Sequence, residues 1–137
     1  MDIFVIAFVI VLGAGLLIYY RWTAKPSPFD DRECMGRAWK RAFPKSSSSS
    51  IRKYLNCLVD GMDLPQDRLS FGPEDKVFEI YRSLFGGHTP LGDDFECERF
   101  SWNVEKDFGI SPQTILDNVW TDEHVTLGEI YEFISAR

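Results

Sequence analysis

Histidine is scarce in this chain. His88 and His124 are the only two, and neither stands at a spacing from Cys, Asp or Glu that suggests a metal site or a catalytic triad. Cysteine is nearly as rare: Cys34, Cys57 and Cys97 are widely spaced and form no CxxC, which argues against a disulfide framework and reads as reduced core thiols in a reducing compartment. Between Ile3 and Tyr20 there is no charge at all, and between Gly86 and Arg99 there is no serine. No nucleophile, base and oxyanion donor can be named together, so enzymatic activity and a bound metal are not expected.

The uncharged stretch has a physical consequence. Its eighteen residues rise about 27 Å as a helix, close to the hydrocarbon thickness of a bilayer. Only Asp2 precedes it, and Tyr19-Tyr20-Arg21-Trp22 follows where a signal peptide would carry a small-x-small cleavage site. Aromatics beside a cation make an interfacial anchor, so an uncleaved single span over residues 3–20 is expected within an anchor of residues 1–22. Arg21 and Lys25 follow the span with nothing basic but the amino terminus before it, which puts the N-terminus outside and the C-terminal domain in the cytoplasm, at an inner membrane.

Charge then divides the chain. From Arg21 to Lys53 nine Lys and Arg stand against three acids, a net of +6, whereas from Tyr54 onward six basic residues face seventeen acids, a net of −11. In residues 23–47, Asp30 with Glu33 can start a helix whose stripe is Met35, Ala38, Trp39, Ala42 and Phe43, leaving Arg37, Lys40 and Arg41 off it. Two readings are open. The basic helix lies on the anionic leaflet, or its aromatics pack on the downstream domain. Nucleic acid is not the expected partner, because the neighbouring domain is strongly acidic.

Ser46 to Ser50 mark a joint, with Ser50 a candidate cap for a helix striped by Ile51, Leu55, Leu58 and Met62. The chain turns from Asp63 to Arg68. Gly72-Pro73 then looks like the start of another helix, with Val77, Phe78, Tyr81, Leu84 and Phe85 inward and Gly86-Gly87 as its stop. Next comes an acidic amphipathic helix in which Cys97, Phe100, Val104 and Phe108 recur at steps of three and four. Gly109 ends it, Ser111-Pro112 starts a short helix, and Thr126 with Glu129 forms a capping box ahead of Leu127, Ile130, Tyr131 and Ile134. Fifteen Phe and Trp residues, mostly on such stripes, read as core.

Residues 48–137 resemble an acyl-carrier domain, and the likeness runs through four short motifs in order. Carriers place a phosphopantetheine serine in an Asp-Ser-Leu motif at the start of an acidic second helix ending in Phe, and Asp93-Asp94-Phe95 occupies that place here. Phe108-Gly109-Ile110 and Thr126-Leu127-Gly128-Glu129-Ile130 are similar to the starts of the third and fourth carrier helices, and Ile51 to Leu69 to the first helix and its turn. Asp94 therefore falls on the serine. A carboxylate does not accept the phosphopantetheine arm by the ordinary transferase reaction, so the cofactor is not expected.

The resemblance implies an all-α, carrier-like bundle behind a single transmembrane helix, of a bacterial type. Its expected role is a non-catalytic, membrane-tethered module that docks a basic patch on a cytoplasmic protein through Asp94, Glu96, Glu98 and Glu105. Arg21, Lys25, Arg37, Lys40 and Arg41 are the candidates for the membrane surface. The alternative is a membrane-bound acyl or peptidyl carrier that uses another serine in lipid or secondary-metabolite assembly; Ser101 lies two turns into the acidic helix.

Overall fold

An N-terminal helix, α1, covers Ile3–Thr23, and its apolar side chains are exposed on every side. The stretch Ile3–Arg21 is long and apolar enough to cross a membrane, and none of it is buried against the rest of the chain. The computed structural model describes residues 2–23, 27–83, 95–119 and 122–137, with the side chains of 22, 23 and 95–97 excepted. Among the described residues the chain is all helical: seven α-helices, one 3-10 turn and one isolated β-bridge, with no strand.

Asp30 does not cap a helix. Its carboxylate accepts the Ser27 N–H at 2.9 Å and closes a turn, and Asp31 then takes a left-handed φ of 55°, which a continuing helix cannot contain. Helix α2 is accordingly short, Gly36–Ala42, and starts late. Most of its stripe faces the domain, with Ala42 left exposed. Trp39 is fully buried, Met35 and Phe43 pack against the core at its edge, and Arg37, Lys40 and Arg41 remain exposed. Of the two readings open from sequence, aromatic packing is the one observed. Phe29 and Trp39, both from the juxtamembrane 23–47 segment, share one hydrophobic core with residues from beyond position 48.

Helix α3, Ser48–Met62, is the central element. Ser47 is its cap, accepting the Ser50 N–H at 3.1 Å, so three of the five linker serines are helical and Ser50 is not the cap. Asp63 stops the helix in the left-handed region, a conformation a short polar side chain tolerates. Between these ends α3 buries Ile51, Tyr54, Leu55, Cys57, Leu58 and Met62. Full burial of a side chain of this size stabilises by about 1.5–3 kcal/mol each. The 3-10 turn Arg68–Ser70 follows, capped by Asp67.

The fourth helix begins at Val77, four residues after the Pro73 start that the glycine-proline signal suggests. Gly72 donates its N–H to Asp75 Oδ2 at 2.6 Å, Lys76 pairs across with Thr126, and α4 runs over Val77–Ser83. With a later start the inward phase also changes. Val77 and Ile80 are fully buried, whereas Phe78 and Tyr81 are only half-buried. The expected Gly86-Gly87 stop, with Leu84 and Phe85, lies outside the described residues.

Helix α5, Phe95–Phe108, crosses α3 at close range. A Cβ on Gly61 would meet the Phe100 Cα at 2.7 Å, so this crossing requires glycine. Phe100 and Val104 are fully buried and Phe108 packs at the edge of the core. Gly109 ends α5 at a φ of 73°, Ser111 caps the short α6, Pro112–Asn118, and both follow the sequence expectation. Helix α7, Leu127–Ser135, opens with the expected capping box and buries Leu127, Ile130, Tyr131 and Ile134.

Candidate functional site

Three features of the molecule bear on function, and the first is the outer face of α5. Glu98, Trp102 and Glu105 stand at i, i+4 and i+7 and are all exposed, Trp102 by 50%. That spacing places an indole between two carboxylates on one side of the helix. Neither Glu98 nor Glu105 has a cationic partner within ion-pair distance among the described residues. Glu96 belongs to α5 by its backbone while its side chain lies outside the described set, and Asp94 lies outside it altogether. Trp102 was no part of the sequence expectation for the site, although the i, i+4, i+7 spacing was available to find it.

Serine placement is the second feature. Ser101 is fully buried on the inner side of α5, so a bulky phosphodiester arm cannot be built on its hydroxyl in the folded chain. The inner face of α5 also meets a thiol. Cys57 Sγ lies 3.4 Å from Asp107 Oδ2, and burial, with the Asp107 hydrogen bond and charge adding to it, pushes the thiol up to about 12. Tyr54, fully buried, is likewise held well above the ordinary phenol value by burial first and by Cys57 second, and its hydroxyl donates to Leu127 O at 2.9 Å. Both groups stay protonated and structural. Cys34 corrects the expectation of three core thiols: it is exposed, while Cys97's side chain lies outside the described residues.

The third feature is a cleft between α2 and α3 with a volume of about 410 Å³. Trp39 and Ile51 make its floor and Leu69 its wall, while Arg37, Lys40 and Arg52 bring three cations to it. Lys40 Nζ donates to Ser46 O at 2.6 Å; Arg37 and Arg52 have no carboxylate partner among the described residues. Sequence reasoning named Arg37 and Lys40 as surface cations but missed Arg52, because its partnership with α2 exists only in the folded packing of the two helices. Arg41 is exposed on α2, Arg21 is exposed at the end of α1, and Lys25 lies outside the described residues. His124 and Glu123 form a solvent-exposed pair at 3.7 Å.

No cluster of three or more metal-ligating side chains occurs among the described residues. No protein-family model matches the chain, and neither a curated protein nor a solved structure matches it.

Proposed function

We propose that the chain is a membrane-tethered, non-catalytic, carrier-like interaction module in which α1 spans the bilayer and the outer face of α5 docks a basic patch on a cytoplasmic protein. The observation that carries this reading is the exposed Glu98-Trp102-Glu105 face, an aromatic anchor between two carboxylates that lack ion-pair partners among the described residues. Acidic helix faces are common on acidic proteins. A half-exposed indole at the middle of one is less so, since burying it against a partner is favourable and leaving it in water is not. Complementary charge around such an anchor selects the partner and speeds encounter more than it adds affinity.

The burial of Ser101 and the aspartate at position 94 support a module without the phosphopantetheine arm. Two measurements test the reading. The intact mass of the chain after incubation with coenzyme A and a broad-specificity phosphopantetheinyl transferase should be unchanged, while Asp94→Ser should gain the arm if the carrier register is correct; an adduct on the unaltered chain would favour the carrier reading. Docking is read by cross-linked partner capture with Glu98→Lys/Glu105→Lys and, separately, Trp102→Ala. Capture that survives both changes would remove α5 as the docking face.

A further inference from the structure

The α2–α3 cleft is absorbed neither by the docking face nor by the core. Its floor is apolar, its charge is of one sign, and no carboxylate among the described residues pairs with Arg37 or Arg52. A cavity of about 410 Å³ lies within the range that holds a small ligand. A partly apolar cleft lined by two arginines fits an amphiphile with an anionic head, because planar guanidinium forks match phosphate oxygens while the apolar lining takes hydrocarbon.

Chain connectivity names the source. Phe29 is already buried in the core, and it lies only six positions after Thr23 at the end of α1, a reach of at most about 22 Å. If α1 spans, the cleft is held within reach of the headgroups at a high effective concentration, and the anionic inner leaflet attracts cations placed there. We propose that this cleft binds one anionic phospholipid of the bilayer that holds α1, with its phosphate on Arg37 and Arg52 and its hydrocarbon over the floor beside Leu69. The proposal rests on the reading of α1 as a span and is independent of α5 docking. Trp39 gives its indole N–H to Phe71 O at 2.8 Å and is fully buried, so the indole underlies the floor and leaves the phosphate to the arginines.

The test is native mass spectrometry of the full chain released from detergent in the presence of phosphatidylglycerol or phosphatidylcholine. One phosphatidylglycerol should be retained in preference to phosphatidylcholine. Arg37→Glu/Arg52→Glu should lower retention by about tenfold or more, each cation near a lipid surface being worth about fivefold. Ser48→Trp fills the mouth from an exposed position at the first turn of α3 without changing charge, and should abolish retention. Thermal unfolding of both variants, expected to be unchanged, shows that the fold is intact. Equal retention of the two lipids, no retention, or phosphatidylglycerol retained undiminished by Ser48→Trp each overturns the cleft as the site. Alkaline carbonate extraction of membranes carrying the chain reads the span separately. Release overturns the span and the bilayer as source, whereas firm membrane retention without a lipid adduct overturns the cleft alone.

Discussion

Two helix starts meet at the Lys76–Thr126 bridge, and they are held in opposite ways. The start of α7 carries its own cap. Thr126 Oγ1 accepts the Glu129 N–H at 3.2 Å and Glu129 Oε2 accepts the Thr126 N–H at 2.8 Å, so four consecutive residues close the cap, while the Leu127 and Gly128 N–H groups go to Asp75 O and Pro73 O. The start of α4 is held from elsewhere. Asp75 Oδ2 takes Arg32 Nη1 at 2.7 Å as well as the Gly72 N–H, Asp75 O takes the Leu127 N–H at 2.9 Å, and the approach to it is fixed by Trp39 donating to Phe71 O and by Met35 N–H donating to Leu69 O. The cap of one joint is local, whereas the other joint is held by tertiary contacts from residues 32–39. The difference implies that the segment between the span and the linker is part of the folding unit, and that changes there should reach α4 before they reach α7.

The largest effect expected is kinetic and gives a clock for opening of this fold. With its pKa moved from 9.0 to about 12, Cys57 carries about a thousandfold less thiolate than an ordinary thiol at neutral pH, and it is only 2% exposed. Cys34, exposed, should therefore alkylate at once while Cys57 waits for opening, as peptide mapping after iodoacetamide would show. The linkage has a definite sign. A thiol whose folded pKa is raised favours the folded state below the unfolded value, and that stability is lost as pH rises from about 9 towards 12. Cys57→Ala should flatten this part of the stability profile.

Next in size is the remote clamp. Trp39→Ala should cost about 3–5 kcal/mol in urea unfolding, as aromatic truncations in cores do. Trp39→Phe sharpens the comparison, since it keeps most of the ring contacts with Tyr54 and Tyr131 but leaves Phe71 O unpaired, at about 1–3 kcal/mol. A fully stable Trp39→Phe would show that the hydrogen bond to the first joint does not matter. Gly128 tests where the joints touch. Its Cβ would come within 2.9 Å of Pro73 O, so Gly128→Ala should cost about 1–3 kcal/mol, while Gly36→Ala, whose Cβ meets only Cys34 Sγ at 3.5 Å, should be near neutral.

The same contrast explains what could be read from the residues. The start of α7 was legible because its cap, its partner and its stripe are adjacent in the chain, and so were the Ser111-Pro112 start of α6 and the Gly109 stop of α5. The start of α4 was not. Gly-Pro followed by Glu-Asp carries the local preferences of a helix N-terminus, but the Asp75 carboxylate is engaged by Gly72 and Arg32, and Lys76 is drawn into the bridge, so the helix waits until Val77. Tyr54 is absent from the expected stripe although it sits three after Ile51 and four before Leu58; its buried hydroxyl is satisfied by Leu127 O, seventy-three positions away. Of the candidate site, the exposed acids at 98 and 105 were legible from helix phase. The cleft was not, because it is made by two helices whose approach is set by Trp39.

The smallest effects decide whether the joints are independent. Thr126→Ala removes a local cap and should cost about 1 kcal/mol. Asp75→Ala removes a carboxylate with two donors and should cost somewhat more, about 1.5–3 kcal/mol, its side chain being largely buried. The informative quantity is the coupling of each to Arg32→Ala in a double-mutant cycle. Asp75 touches Arg32 and should couple by about 0.5 kcal/mol or more, whereas Thr126 shares no partner with it and should add within about 0.3–0.5 kcal/mol. Strong coupling of Thr126 to Arg32 would mean that the β-bridge transmits strain from one helix start to the other. The local cap would then be a member of the remote network, and the bundle would open at both joints together.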